Sequence, residues 1–456
     1  MRPLQLSEIA RWCAGHLRGG DRGITAVDTD SRTVRAGALF VALRGERHDG
    51  HDHAAAAIAA GATAVLAEHA LDLEVPQVVC ADSQRALGDL ARGLAAARAT
   101  RVVAVTGSNG KTTVKTLAHA ILARGFAAYA NPGNRNNEIG LPLALIEQPE
   151  DAQVAVYEMG AGKPGDIAYL AGIAGPQVAL VNNVGPAHLE RMGTLLTVAR
   201  TKGAIYDALP VDGVAVVNAD DAFGGWFAQA AAPRRVLRFG VDSSAQVTAR
   251  PVRCGHEGCR FVLVAPEGEA ELVLALPGRH NVLNALAAAA LALAAGAQLQ
   301  DVAAGLAAAP SVAGRLVRHR LAGGAVLIDD SYNANPASVG VAIAALAMAG
   351  GNTVLVLGDM AELGAGALRL HAEVGERARA AGIGNLFTVG PLSAAASRAF
   401  GAGAQHFESQ DALLGALRAA LSPGTTCLVK GSRSSAMDRI VRALAGGADG
   451  EVGHAA

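Results

Sequence analysis

The stretch RVVAVTGSNGKTTVKTLAHAIL, Arg101 to Leu122, passes from a β-branched run through a glycine-bounded turn into a helical pattern. Backbone N–H groups at the start of such a helix have no intrahelical partner and face the space beyond the strand, where they cradle phosphate oxygens. Gly107 and Gly110 permit a tight turn and close backbone approach, with Ser108 and Asn109 between them. Lys111 offers a positive point charge to the terminal phosphates, and Thr112 or Thr113 a hydroxyl to Mg2+. The usual phosphate-loop pattern has a glycine separated by four residues from the Gly-Lys pair, yet Val105 stands there. A loop without that glycine starts its turn later and is more compact. The bland alternative is a glycine turn closing an ordinary strand–helix unit.

At 456 residues the chain exceeds a single hydrophobic core and suits two to four domains. Alanine supplies much of the 51% hydrophobic content and aromatics only 4%, so helix-rich, closely packed interiors are expected. A formal charge of −1 without a basic block gives no reason to expect nucleic acid or an acidic membrane, and a small-molecule partner fits better. The opening MRPLQLSEIARWCAGHL places a charge inside what would be the apolar run of a signal peptide, so secretion is not expected. Two weakly charged stretches, NVLNALAAAALALAAGAQLQ and VGVAIAALAMAGGNTVLVLG, reach spanning length. Asn and Gln in the first and Gly-Gly-Asn in the second mark them as buried elements, and no membrane span is expected. Five scattered cysteines (13, 80, 254, 259 and 427) argue against a disulfide framework and for a reducing cytoplasm. Cys254, His256 and Cys259 lack a second ligand pair at finger spacing and read as hairpin residues.

The pattern divides an α/β chain into three domains, at 1–82, 83–310 and 311–456. The first mixes short apolar runs (GALFVAL, TAVLA, VPQVVC) with alanine helices, as a small α/β unit does. The helix SQRALGDLARGLAAARAT opens the second, where RVVAVTG, DAQVAVYEMG, PQVALVNNVG and DGVAVVNADD alternate with helices and predict a mostly parallel sheet. After Phe239 come antiparallel strands, CRFVLVAPEGEAELVLALPG, and an alanine helix from Asn281. In the third domain AVLIDDSYNANP, NTVLVLGDM, NLFTVG and TTCLVKGS alternate with helices again, predicting a second open α/β sheet. The tail AGGADGEVGHAA has nothing to bury and is expected to be unstructured.

Candidate site residues follow from this layout, because ligands of open α/β sheets gather at the carboxyl ends of the strands. Glu158 ends VAVYE there, where a phosphate-bound cation would lie; a helix-capping role is the alternative. His188 and Lys202, in NNVGPAHLERMGTLLTVARTKGAIY, could be a structural histidine and a solvated lysine. Asn281, in LPGRHNVLNALAAAA with His280 and Asn284, could simply cap its helix. Arg315 in SVAGRLVRH and Asp330 in IDDSYNANP could each form a surface ion pair. Asn134, Asn136 and Asn137 in NPGNRNNEIGLP could form turns, or hold a peptide and its carboxylate without charge. The cluster His48, Asp49, His51, Asp52 and His53 reads as an ordinary polar loop.

The compact form Thr-Gly-x-Asn-Gly-Lys-Thr-Thr, together with the domain order, resembles the Mur ligase family, ATP-dependent enzymes that join a carboxylate to an amine. The resemblance implies a small N-terminal substrate domain, a central P-loop ATPase-type domain and a mobile, Rossmann-like C-terminal α/β domain. It implies ATP and two Mg2+ ions, with Glu158 and a hydroxyl such as that of Thr112 on magnesium and His188 on the second ion. Lys202 matches a lysine carbamylated by CO2, which turns a cation into an anion able to face metal. Asn281 matches a nucleotide contact, and Arg315 and Asp330 match residues that the C-terminal domain brings to ATP on closing. NPGNRNNEIGLP, EMGAGKPGDI, DDSYNANP and VLGDMAELG resemble the branch that adds D-alanyl-D-alanine to UDP-N-acetylmuramoyl-tripeptide, as a monomer in the cytoplasm. DTDSRTVRAGALFVALRGERHDGHDH resembles the segment that binds the UDP portion, with Ser31 and Arg32 as contacts, and Asn134 and Asn137 as further substrate contacts. Two readings remain open: a family member adding a different amino acid, such as the third residue of the peptide, and a non-catalytic nucleotide switch using the same loop.

Overall fold

The computed structural model describes residues 1–45, 48–310 and 312–446. The tail from 447 onward, and Ser311 at the expected start of the third domain, lie outside the described residues.

Near the N-terminus five strands form one sheet, in the spatial order His16–Arg18, Gln77–Val79, Ala64–Ala67, Ala38–Val41, Ala26–Asp28. Only the first pair is antiparallel. Ala38–Val41 and Ala64–Ala67 are buried along their whole length, which is why they read as unbroken apolar runs rather than alternating ones. The helix Ser83–Ala96 starts where Asp82 accepts a hydrogen bond from the Arg85 N–H at 2.9 Å. Its Ala86, Leu87, Leu90, Ala91 and Leu94 recur at helical spacing and join a core shared by the N-terminal sheet and one face of the central sheet.

The central sheet is parallel throughout, in the order Arg235–Phe239, Val214–Asn218, Val178–Val181, Arg101–Thr106, Val154–Glu158, Ala128–Ala130. Arg101–Thr106 occupies an inner place with chain crossing away on both sides, so a crevice opens beyond its carboxyl end. The opposite face is covered by the helices Lys111–Leu122 and Arg279–Ala294. In the second of these the run from Asn284 to Leu293 is buried all round, a packing that alanine allows because its small side chain lets neighbouring backbones approach. The antiparallel strands expected after Phe239 are present as Cys259–Ala265 paired with Gly268–Leu274.

One expectation is corrected. The cysteine pattern argued against disulfides, but Cys254 and Cys259 are bonded, with an S–S distance of 2.06 Å. The hairpin sets the two residues directly opposite one another across antiparallel strands, a proximity that a count of cysteines along the chain does not reveal. Cys13, Cys80 and Cys427 are free and buried.

The last sheet has six strands in the order Val317–Arg320, Val326–Asp330, Thr425–Lys430, Asn352–Gly358, Asn385–Val389, Ala404–Phe407. Its four inner strands match the sequence reading, and both edge strands escaped it. Among the described residues no helix is long and apolar enough to cross a membrane.

Candidate active site

Val105 is fully buried inside its strand, paired with Glu158 on one side and Leu180 on the other, so the position that lacks the usual glycine belongs to the sheet and not to the turn. The turn begins at Gly107 and ends at Gly110, whose φ of +78° caps the helix Lys111–Leu122. A Cβ on Gly110 would lie 2.4 Å from Asn284 Oδ1 and 2.7 Å from Asn182 Nδ2. Neighbouring asparagines fix the loop: the Asn109 N–H donates to Asn183 Oδ1 at 2.8 Å, and Asn182 and Asn183 each donate to the Asn109 carbonyl at 3.0 Å. Lys111 Nζ folds back to the Gly107 carbonyl at 2.8 Å, and Lys202 Nζ reaches the same oxygen at 3.2 Å. Burial lowers the Lys111 ammonium, against the pull of Glu158. Lys202 is held well below the usual lysine range by burial, with Lys111 beside it adding repulsion.

Beyond the loop lies a cavity of about 790 Å3. Glu158, at the end of its strand, is 3% exposed and holds its carboxylate toward this space. One oxygen accepts from Asn136 Nδ2 at 2.7 Å, while Oε2 has no hydrogen-bond partner among the described residues. The Lys115 ammonium faces that oxygen at 3.8 Å, beyond hydrogen-bond distance, so the lone pairs of Oε2 stay open toward the cavity and the residues present fit a divalent ion here. Asn134, Asn136 and Asn137 line the same cavity.

The C-terminal domain forms the opposite wall. Arg315 Nη2 donates to Thr112 Oγ1 at 3.0 Å, and its guanidinium lies 4.7 Å from the centre of the Tyr332 ring. Asn335 caps its own helix and donates through Nδ2 to Asn109 Oδ1 at 2.8 Å. Asp330 is paired with Lys430 at 2.6 Å; burial pushes its carboxyl up and Lys430 pulls it down. His188 meets the domain from the central side: its Nδ1 lies 2.5 Å from Glu362 Oε2, and the Glu190 N–H donates to the Glu362 carbonyl at 3.2 Å. A second cavity of about 320 Å3 adjoins the first, sharing His280, Leu316 and Val341 with it and otherwise mostly apolar.

The cavity thus gathers Ser108, Asn109, Gly110, Lys111, Glu158, His188, Asn281, Arg315 and Asp330 as lining residues. Of the two threonines, Thr113 lines it, while the Thr112 hydroxyl is taken by Arg315. Lys202 lies beneath the loop at Gly107 rather than on the cavity wall. Ser31 and Arg32 are not among the lining residues; Arg32 pairs with Asp30 at 2.6 Å on the N-terminal domain surface. Asn281 is not the helix cap: the helix starts at Arg279 after Gly278, and Asn281 donates back to the Pro277 carbonyl. In the histidine cluster, His51 uses both ring nitrogens on protein partners, Asp49 Oδ1 and the Glu68 N–H, as a polar loop does. Lys115, Asn182, Tyr332, Lys430 and Glu362 were missed. Lys115 had a signal, standing one helical turn after Lys111 on the same face, and Tyr332 and Glu362 lie inside the quoted stretches DDSYNANP and VLGDMAELG.

Three family descriptions match the chain in succession: Mur ligase family, catalytic domain, over residues 23–103; Mur ligase middle domain over 105–292; and Mur ligase, glutamate ligase domain over 314–433. The chain belongs to the Mur ligase family. It is 43% identical to the UDP-N-acetylmuramoyl-tripeptide–D-alanyl-D-alanine ligase of Escherichia coli K12, covering 97% of this chain and 99% of that protein. A crystal structure of MurF from Acinetobacter baumannii superimposes with a TM-score of 0.93 at 33% identity, covering 98% of this chain and 99% of the other. The MurF ligase from Thermotoga maritima, solved in complex with ADP, gives a TM-score of 0.83 at 28% identity, covering 92% and 97%.

Proposed function

We propose that this chain is the D-alanyl-D-alanine-adding ligase of its family, an ATP-dependent enzyme that completes the pentapeptide precursor of peptidoglycan. The observation that carries the reading is a single cavity lined by a phosphate-type glycine turn, a buried carboxylate with one oxygen free of hydrogen bonds, and a neutral asparagine loop. Those are the parts needed to hold a triphosphate, a cation and a peptide carboxylate side by side.

The terminal carboxylate of UDP-N-acetylmuramoyl-tripeptide attacks the γ-phosphorus of ATP. The bond from that phosphorus to the β–γ bridging oxygen breaks, and ADP leaves with the electron pair. Lys111 and the N–H groups of the loop stabilise the charge on the transferring group. The free amine of D-alanyl-D-alanine then attacks the carbonyl carbon of the acyl phosphate. A tetrahedral adduct collapses, the bond to the phosphate oxygen breaks, and inorganic phosphate and a proton depart. Mg2+, when bound, neutralises phosphate charge; Glu158, a threonine hydroxyl at Thr112 or Thr113, His188 and Lys202 as its carbamate are the residues that would hold the two ions. The low proton affinity of Lys202 supports the carbamate, since only a neutral amine adds CO2, losing a proton as it does so.

Asn281, Arg315 and Asp330 contact the nucleotide, and the adjoining apolar cavity takes its base. Contacts of Arg315, Asn335 and Glu362 with the central domain close the cavity against water, which would otherwise hydrolyse the acyl phosphate. Ser31 and Arg32 hold the UDP end on the N-terminal domain, and Asn134 and Asn137 the peptide. The domains run 1–82, 83–310 and 311–456, the central one of P-loop ATPase type and the last Rossmann-like. The enzyme works in the cytoplasm, where ATP is available, and as a monomer.

Phosphate release from ATP with UDP-N-acetylmuramoyl-tripeptide, measured with and without D-alanyl-D-alanine, tests the reading. Release that requires the dipeptide is expected. Nucleotide binding with no amine-dependent release would point to a switch and overturn it.

A further inference from the structure

Lys115 is a buried charge for which the mechanism above has no use. Its residue is 5% exposed, and its Nζ lies 2.7 Å from the Asn131 carbonyl, 3.1 Å from the Gly133 carbonyl and 3.8 Å from Glu158 Oε2. Two carbonyl oxygens accept hydrogen bonds from this ammonium, and a carboxylate oxygen stands beyond them at ion-pair distance. An apolar residue would fill a helix-packing position at lower cost, because a buried ion gives up its hydration. A lysine here therefore asks what the three oxygens have in common.

They belong to two segments that meet the cavity from one side. The loop after the strand Ala128–Ala130 carries Asn134, Asn136 and Asn137, and the strand Val154–Glu158 carries the carboxylate. The two are stitched together at several points. Asn131 Nδ2 donates to the Glu158 carbonyl at 3.2 Å, the Glu158 N–H donates to Asn131 Oδ1 at 2.9 Å, and Asn136 Nδ2 donates to Glu158 Oε1 at 2.7 Å. Lys115 rises from a third segment, the helix Lys111–Leu122, which follows directly on the phosphate loop. Its ammonium is the point at which phosphate helix, asparagine loop and carboxylate strand are fastened to one another.

We propose that Lys115 is a positioning residue that fixes the asparagine loop relative to the phosphate site, and so sets where the acceptor carboxylate of the UDP-linked peptide lies against the γ-phosphate. The inference rests on the functional reading above, which assigns that loop to the peptide. Reacting atoms must be held within a few tenths of an ångström for efficient transfer, so a loop freed from its anchor loses acceptor binding and rate together. Nucleotide binding is spared, because among the described residues the Lys115 side chain has no hydrogen bond or ion pair with residues 107–110.

Lys115→Met keeps the length of the side chain and removes every donor; Lys115→Arg returns a cation. With ADP affinity as the check of folding, Lys115→Met is expected to raise the KM for UDP-N-acetylmuramoyl-tripeptide about tenfold or more, while the Kd for ADP stays within about threefold. Hydrogen exchange of the amides of residues 131–137 should quicken in the same variant without any substrate present. Lys115→Arg should recover part of both effects. Unchanged KM and unchanged exchange in Lys115→Met would overturn the proposal, as would equal losses for ADP and the peptide, the mark of a merely structural lysine. If wild-type phosphate release proves independent of the dipeptide, the functional reading fails instead; faster loop exchange in Lys115→Met then still reports the anchor but not its purpose, and the proposal as stated falls with that reading.

Discussion

A lysine that is 1% exposed, as Lys202 is, either gives up its proton or acquires a compensating partner. Its nearest acceptor is a single carbonyl, Gly107, and its nearest charge is another lysine, so the neutral amine is favoured. The sign of the stability effect follows. Because the folded chain holds a proton at Lys202 less tightly than the unfolded chain, whose value is 10.5, this position costs stability below its lowered value, and the cost fades as pH rises from there toward 10.5. In CO2-depleted buffer, Lys202→Met is expected to unfold at higher urea than wild type at pH 7, with the gap closing as pH is raised. The same variant should lose activity on the order of 100-fold, the scale of lost metal-site support. Bicarbonate should restore the activity of CO2-stripped wild type, with an intact mass one CO2 heavier. A wild type that matches the variant in urea at every pH would show that the amine stays protonated in the folded protein.

The element that decides the site is the turn between Thr106 and Lys111, and Gly110 is its tightest point. Alanine there must adopt a φ of +78° and place its Cβ 2.4 Å from Asn284 Oδ1, so Gly110→Ala is expected to cost about 1–3 kcal/mol in urea unfolding and to weaken ADP binding at least tenfold by calorimetry. Adding Asn284→Ala should recover the part due to the clash and leave the part due to backbone strain, a non-additivity that a double-mutant cycle measures. This turn was readable in the sequence because glycine, lysine and β-branched residues each impose a local geometry. The inner strands were readable for a related reason: burial on both faces demands continuous apolar runs such as VLVLG and VALV. Val317–Arg320, with the sequence VRHR, was not readable, since an edge strand exposes one side and tolerates the charges that disguise it. The capping alternative for Asn281 failed because that residue sits inside the first turn rather than before it. Lys430 ends an apolar strand, and nothing local announces that Asp330 lies across from it. The cross-strand disulfide and the Lys115 cluster belong to this same class of feature, created by register and packing rather than by neighbours in the chain.

At the scale of the whole molecule, the C-terminal domain is docked on the central one through a few polar contacts near the cavity. Arg315 to Thr112, Asn335 to Asn109 and Glu362 to His188 are made by side chains, and the Glu190 N–H adds a backbone hydrogen bond to the Glu362 carbonyl. The Glu362–His188 contact joins two non-glycine residues in left-handed backbone conformations, His188 at φ +54° and Glu362 at +62°. Such conformations persist only where surrounding contacts over-determine them. The hydrogen bond from His188 holds the Glu362 carboxyl below its usual range, so the contact is fully present at neutral pH and is lost as pH falls through that lowered value. Because Glu362 is 46% exposed, the pair is worth about 1 kcal/mol or less, which corresponds to at most about a fivefold shift between docked and undocked forms. Glu362→Ala is therefore expected to increase the radius of gyration in small-angle scattering and to raise the KM for the dipeptide by up to about fivefold, with ADP affinity unchanged. Glu362→Gly should open the molecule less than Glu362→Ala, because glycine adopts the φ of +62° without the strain that alanine keeps in the docked form. If both variants scatter as wild type does, docking rests on Arg315 and Asn335, and the paired substitution Arg315→Ala with Asn335→Ala should open the molecule where Glu362→Ala did not.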